Sequence, residues 1–109
     1  MSEGFSLKGN VNRIYELTEK YVMGMNYRIE NSVPHTLLVL KRGSTSGSFA
    51  SFKIENCKTT LRISFSQKGE DANILLDYDI SVYGIVTESD KATLESEVEK
   101  LHNFLLTAT

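Results

Sequence analysis

The sequence predicts one α+β domain, residues 1–109, built in two layers. An antiparallel four- to five-stranded meander sheet forms one layer, and an N-terminal helix and a long C-terminal helix pack on one of its faces. Three observations carry this expectation. Two segments, one toward each end, repeat apolar residues at helical spacing. The residues between them alternate apolar and polar with a period of two. And 109 residues that are 40 % hydrophobic and 24 % charged, with one proline, suffice for one modest core rather than two.

The elements follow in chain order. Phe5 and Leu7 alternate with Ser6 and Lys8, which predicts a short strand. Asn10 or Asn12 can cap a first helix, because a short side-chain oxygen there accepts from an otherwise orphaned backbone N–H. Val11, Ile14, Tyr15, Thr18, Tyr21, Val22 and Met25 then mark one helical face, and Gly24 and Asn26 supply the stop. Strand-like alternation places Tyr27 and Ile29 inward. It does the same for Ala50, Phe52 and Ile54, for Leu61, Ile63 and Phe65, and for Ile74, Leu76, Tyr78, Ile80 and Val82. Thr87 can cap the last helix, with Asp90 reaching back as its capping-box partner. Leu94, Val98, Leu101 and Leu105 form that helix's apolar stripe, with Glu95, Glu99 and Lys100 on the other side.

Side-chain parity constrains the hairpins, since a one-residue slip would turn every side chain to the wrong face. A two-residue loop at Asn56-Cys57 sets Phe52 opposite Leu61 and Ala50 opposite Ile63. A loop at Gly69-Glu70, suited to a type II′ turn, sets Ile63 opposite Leu76, Leu61 opposite Tyr78 and Arg62 opposite Asp77. The last pair is expected to form a cross-strand ion pair on the open face.

Charge is uneven along the chain. Residues 41–68 carry six basic groups against Glu55, whereas residues 69–109 carry nine acidic and two basic ones. The net charge of -2 argues against wholesale coating of nucleic acid. The single cysteine, Cys57, excludes an internal disulfide framework and points to a reducing, cytoplasmic setting. No signal peptide is read, and the longest aliphatic run, Leu37 to Leu40, is far too short to span a bilayer.

Motifs that carry chemistry are few. Lys41 and Arg42 precede Gly43-Ser44-Thr45-Ser46-Gly47-Ser48, a segment rich in backbone and hydroxyl donors that could cradle a phosphate. A P-loop needs Lys and Ser or Thr directly after its last glycine, followed by a helix; here Ser48 and Phe49 follow and a strand is predicted, so the ordinary reading is a hairpin loop. Asp77 and Asp79 share a strand face but lack a third ligand or a His nearby, which favours surface ion pairing. Cys57 beside Lys58 has no assignable base. His35 and His102 lack metal-ligand spacing and read as structural. No catalytic set, metal site or cofactor is assigned.

The run Leu37-Leu38-Val39-Leu40 is apolar on both faces. Either it is a central strand shielded by long neighbouring side chains, or Leu37 and Val39, joined by Phe49, form an apolar contact surface on the otherwise wet face. Tyr15, Tyr21, Tyr27, Tyr78, Phe52 and Phe65 fall on inward positions, where they fill the core or line a cavity between helix and sheet.

The β-α-β4-α order resembles the small folds in which helices grip one face of a curved antiparallel sheet, the TATA-binding-protein-like half-domain and the larger Bet v 1 or START-type fold. The stretches Leu38-Val39-Leu40-Lys41-Arg42-Gly43-Ser44 and Tyr83-Gly84-Ile85-Val86-Thr87-Glu88-Ser89-Asp90 also resemble segments of a family of uncharacterised small prokaryotic domains, with no assigned chemistry. The chain is too short for a full START-type barrel, holds one copy of the half-domain, and has Asp77 and Asp79 on its predicted open face. DNA readout is therefore not implied.

Three functions are weighed. The first is a non-catalytic binding or protein-interaction module, self-associating as a homodimer or docking a protein partner through the sheet around Leu37, Val39 and Phe49. The second is a carrier of a small apolar ligand between the long helix and the sheet. The third is an anion or nucleic-acid binder using Lys41, Arg42, Ser44, Lys53, Lys58 and Arg62.

Overall fold

The computed structural model describes residues 1–43, 58–81 and 88–108. In chain order it contains β1 (Ser2–Lys8), α1 (Val11–Met23), β2 (Arg28–Val33), β3 (Leu37–Arg42), β4 (Lys58–Lys68), β5 (Asp71–Ser81) and α2 (Glu88–Ala108). The five strands form one antiparallel sheet in the order β1-β5-β4-β3-β2. Strands β2 to β5 are a meander, and β1 returns to lie beside β5.

Local chemistry accounts for the element ends. Asn10 caps α1, its side-chain oxygen accepting from the Asn12 backbone N–H at 2.8 Å. The helix stops at Gly24, and Asn26 then turns the chain with a φ of 65°. His35 takes the left-handed position, φ 64°, of the short β2–β3 turn. The β4–β5 hairpin closes on Gly69-Glu70, with Lys68 opposite Asp71, and of those two residues only Gly69 has a positive φ, as a type II′ turn requires. The Ile63–Leu76, Leu61–Tyr78 and Arg62–Asp77 registers follow as the alternation predicts.

The core lies between the inward sheet face and both helices. Leu38, Leu40, Leu61, Ile63, Ile74 and Leu76 rise from the sheet, Ile14 and Val22 come from α1, and Leu94, Val98, Leu101 and Leu105 come from α2. The predicted stripe of the last helix is therefore its buried face. Both histidines pack on rings: His102 stacks on Phe5 at 4.3 Å, and His35 meets the edge of Tyr15 at 5.5 Å.

Three expectations need correction. Leu61 has Leu40 and Tyr78 as its two cross-strand neighbours, and Ile63 has Leu38 and Leu76. A strand has two edges, and β4 gives both of them at these positions to β3 and β5 rather than to the predicted Ala50–Ile54 strand. The predicted Ala50–Ile54 strand, the Asn56-Cys57 turn and the Thr87 cap lie outside the described residues. Second, Ile29 is 38 % exposed although its parity points inward. All of β2 is exposed: it is the outermost strand, with a bulge between Ile29 and Asn31. Third, Arg62 and Asp77 are cross-strand neighbours but form no ion pair; Asp77 instead accepts a hydrogen bond from the Ser2 hydroxyl at 2.9 Å.

Candidate functional site

The open face of the sheet is built from the residues that alternate with the core. Cross-strand register lines them up in rows. One row runs Val33, Leu37, Ser64, Leu75, Gly4 across β2, β3, β4, β5 and β1. The next runs Asn31, Val39, Arg62, Asp77, Ser2, and a third runs Arg28, Lys41, Thr60, Asp79. Leu37 and Val39 are partly buried on this face, while Val33 and Leu75 are 46 % and 49 % exposed. The apolar side chains stand beside small ones. Gly4, Ser6, Ser64, Ser66, Asn73 and Leu75 surround a shallow recess of about 440 Å³. The Leu75 side chain lies against Gly4, where an added Cβ would meet its Cδ1 at 3.5 Å.

Of the basic residues singled out by sequence that the structure describes, Lys41, Lys58 and Arg62 share the open face and Arg42 does not. Lys41 is on the open face and paired with Glu30 at 2.7 Å. Arg62 is exposed on the same face, one strand away. Arg42 continues the inward parity of Leu38 and Leu40 and is 6 % exposed. Lys58 opens β4 and is exposed. Phe49, Ser44 and Lys53, like Cys57, fall outside the described residues. Among the described residues, no three of His, Cys, Asp and Glu form a metal cluster.

At Arg42 the structure assembles a buried polar corner. Arg42 Nη1 donates to Glu97 Oε1 on α2 at 2.5 Å. The Tyr27 and Tyr78 hydroxyls donate to Glu97 Oε2 at 3.4 and 3.2 Å. The guanidinium lies over the Tyr27 ring, 4.5 Å from its centre. Burial works against the charge of Arg42, but the hydrogen bond and proximity to Glu97 outweigh it and raise its pKa. Burial, reinforced by neighbouring negative charge, pushes both tyrosine hydroxyls well above their ordinary pKa and keeps them protonated. Nε and Nη2 of Arg42 are buried and have no hydrogen-bond partner among the described residues. Glu97 also lines a groove of about 530 Å³ along α2 with Met25, Ser89, Thr93, Ser96 and Lys100.

No known family profile matches this chain, and no curated protein matches it. Its fold is similar to that of TTHA0849 from Thermus thermophilus. The two superpose with a TM-score of 0.51 over 100 % of this chain and 98 % of the other, at 9 % sequence identity. An identity that low shows a shared fold and carries no residue-level chemistry.

Glu97 is the site residue that sequence reasoning missed. Its signal was present: three residues after Leu94 and four before Leu101, it stands within the apolar stripe of α2 rather than opposite it. Arg42 sat on an inward strand position by the same kind of count. An acid and a base, each at an inward position, are the pattern of a buried ion pair.

Proposed function

We propose that the protein is a non-catalytic, cytoplasmic interaction module of helix-grip type that self-associates through its open sheet face. The observation that carries this reading is the self-complementarity of that face. Consider a two-fold axis running along the strands between β4 and β5. It places Arg62 of one copy over Asp77 of the other, because the two are cross-strand neighbours. It also sets Leu75 over Ser64 and Leu37 over Gly4, so large side chains meet small ones and the recess between them fills. Face-to-face sheets cross at about 30°, which displaces residues far from the axis most and Arg62 and Asp77 least.

A nucleic-acid surface fits less well. It requires a face of one sign, whereas the cations of the open face stand among acids: Lys41 is paired with Glu30, Asp77 and Asp79 flank Arg62, and Arg42 is turned inward to Glu97.

Sedimentation equilibrium tests the proposal. The expected mass is twice 12.2 kDa, and Leu75→Arg returns it to one chain. Arg62→Asp and Asp77→Arg each weaken the dimer, and together they restore it, since the swap recreates the same pair with its sign reversed. A wild-type protein that stays monomeric at its highest soluble concentration overturns the reading, as does a double variant weaker than either single one.

A further inference from the structure

We propose that the corner formed by Arg42, Glu97, Tyr27 and Tyr78 is a binding site for a small neutral molecule that carries a carbonyl oxygen. The argument begins with Arg42. Its side chain is 7 % exposed, and two of its nitrogens have no acceptor among the described residues. Guanidinium N–H groups only donate, so whatever completes this corner must supply an acceptor. An unmade bond there costs the full desolvation of the donor.

The charge balance selects the class of acceptor. Glu97 already neutralises Arg42 at 2.5 Å, and both tyrosine hydroxyls are spent on Glu97 Oε2. A carboxylate or phosphate ligand would bury one uncompensated negative charge beside Glu97. A carbonyl oxygen accepts the same N–H groups without that penalty. Entry is beside Glu97, the one corner residue that lines the groove along α2, whose volume of about 530 Å³ lies within the range of small-molecule sites. This site is on the opposite side of the sheet from the self-association face, so the two proposals stand or fall separately.

Three probes of similar shape test it: acetophenone, benzoate and ethylbenzene, each titrated into the full chain. Two-dimensional NMR follows the Arg42 Nε–H resonance in the wild-type protein, which requires no variant to fold. Acetophenone is expected to move that resonance and to bind about tenfold or more tightly than ethylbenzene, the loss expected for one bond to a charged donor. Arg42→Lys, which keeps the charge and loses the Nε–H and the fork, abolishes the preference. Three outcomes overturn the proposal: no probe binds, acetophenone and ethylbenzene bind equally, or the Nε–H resonance stays still while acetophenone binds elsewhere. Benzoate binding tighter than acetophenone overturns the neutral class.

Discussion

Arg42 and Glu97 lie 55 residues apart in sequence, and their side chains meet at 2.5 Å, fastening α2 to the third strand from inside the domain. A buried pair of this kind is costly to break from one side, because the remaining charge keeps its burial and loses its partner. Arg42→Met and Glu97→Leu are each expected to cost about 3–5 kcal/mol in urea unfolding. The double variant is expected to cost less than their sum, leaving a coupling energy of about 0.5–3 kcal/mol. Strict additivity would show that the pair is not coupled.

The same corner makes the protein sensitive to alkali. Tyr27 and Tyr78 have folded-state pKa values raised above the ordinary 10.0, first by burial and then by neighbouring groups that disfavour the tyrosinate. Below pH 10 both are protonated in folded and unfolded chains alike, and their effect on stability does not change with pH. Above pH 10 the unfolded chain releases these protons and the folded chain keeps them, so stability falls as pH rises. The decline is expected to reach about 1.4 kcal/mol per pH unit for each tyrosine. Urea unfolding above pH 10 measures it, and Tyr27→Phe with Tyr78→Phe should flatten the slope. Ultraviolet titration should show these two phenols ionising only as the chain unfolds.

Parity made most of this fold legible before any coordinates. Alternation in β4 and β5 fixed which side chains face inward, and the two-residue turn at Gly69-Glu70 removed the two-residue shifts that alternation allows, so together they specified the register to the residue. Helical spacing identified the buried stripe of α2. Parity does not say which strands are neighbours. The pairing of β3 with β4 is a choice among apolar strands of equal pattern, decided by tertiary packing. Nor does it say whether an inward residue is covered, and Ile29 on the edge strand is not. The Arg42–Glu97 site was half legible: each charge sits at an inward position, but joining the two requires knowing where α2 crosses the sheet.

Gln67 was a residue without a signal, and the structure gives it four polar contacts. Its Oε1 accepts from the Val11 backbone N–H at 2.8 Å, and the two N–H groups of its Nε2 are shared among the carbonyls of Gly9, Gly69 and Asp71 at 3.0–3.1 Å. One side chain thus ties the start of α1 to the β4–β5 hairpin and satisfies one of the helix's orphan N–H groups. Because the site is exposed, water replaces part of what is lost, so Gln67→Ala is expected to cost about 1 kcal/mol rather than a buried network's penalty. Gln67→Glu keeps the acceptor for Val11 and aims an anion at three carbonyls, so it should be no better than Ala. Amide hydrogen exchange at Val11 should rise in both variants and leave the β3–β4 ladder unchanged.

The Gly69-Glu70 turn separates backbone handedness from packing. A Cβ at Gly69 would meet nothing within 4 Å, yet its φ is 64°. Any loss on substitution is therefore conformational. Gly69→Ala is expected to cost about 1–3 kcal/mol, the cost of holding an L-residue in that region, and to lower Tm by several degrees at this chain length. Combining Gly69→Asn with Glu70→Gly puts an Asn-Gly pair in the turn. That pair accepts the two positive φ values of a type I′ turn and should recover most of the loss while keeping Lys68 opposite Asp71. Gly69→Asn alone should not, because Glu70 would then have to adopt the strained conformation. If the single and double variants melt together, the cost lies in contacts made by the turn rather than in its backbone.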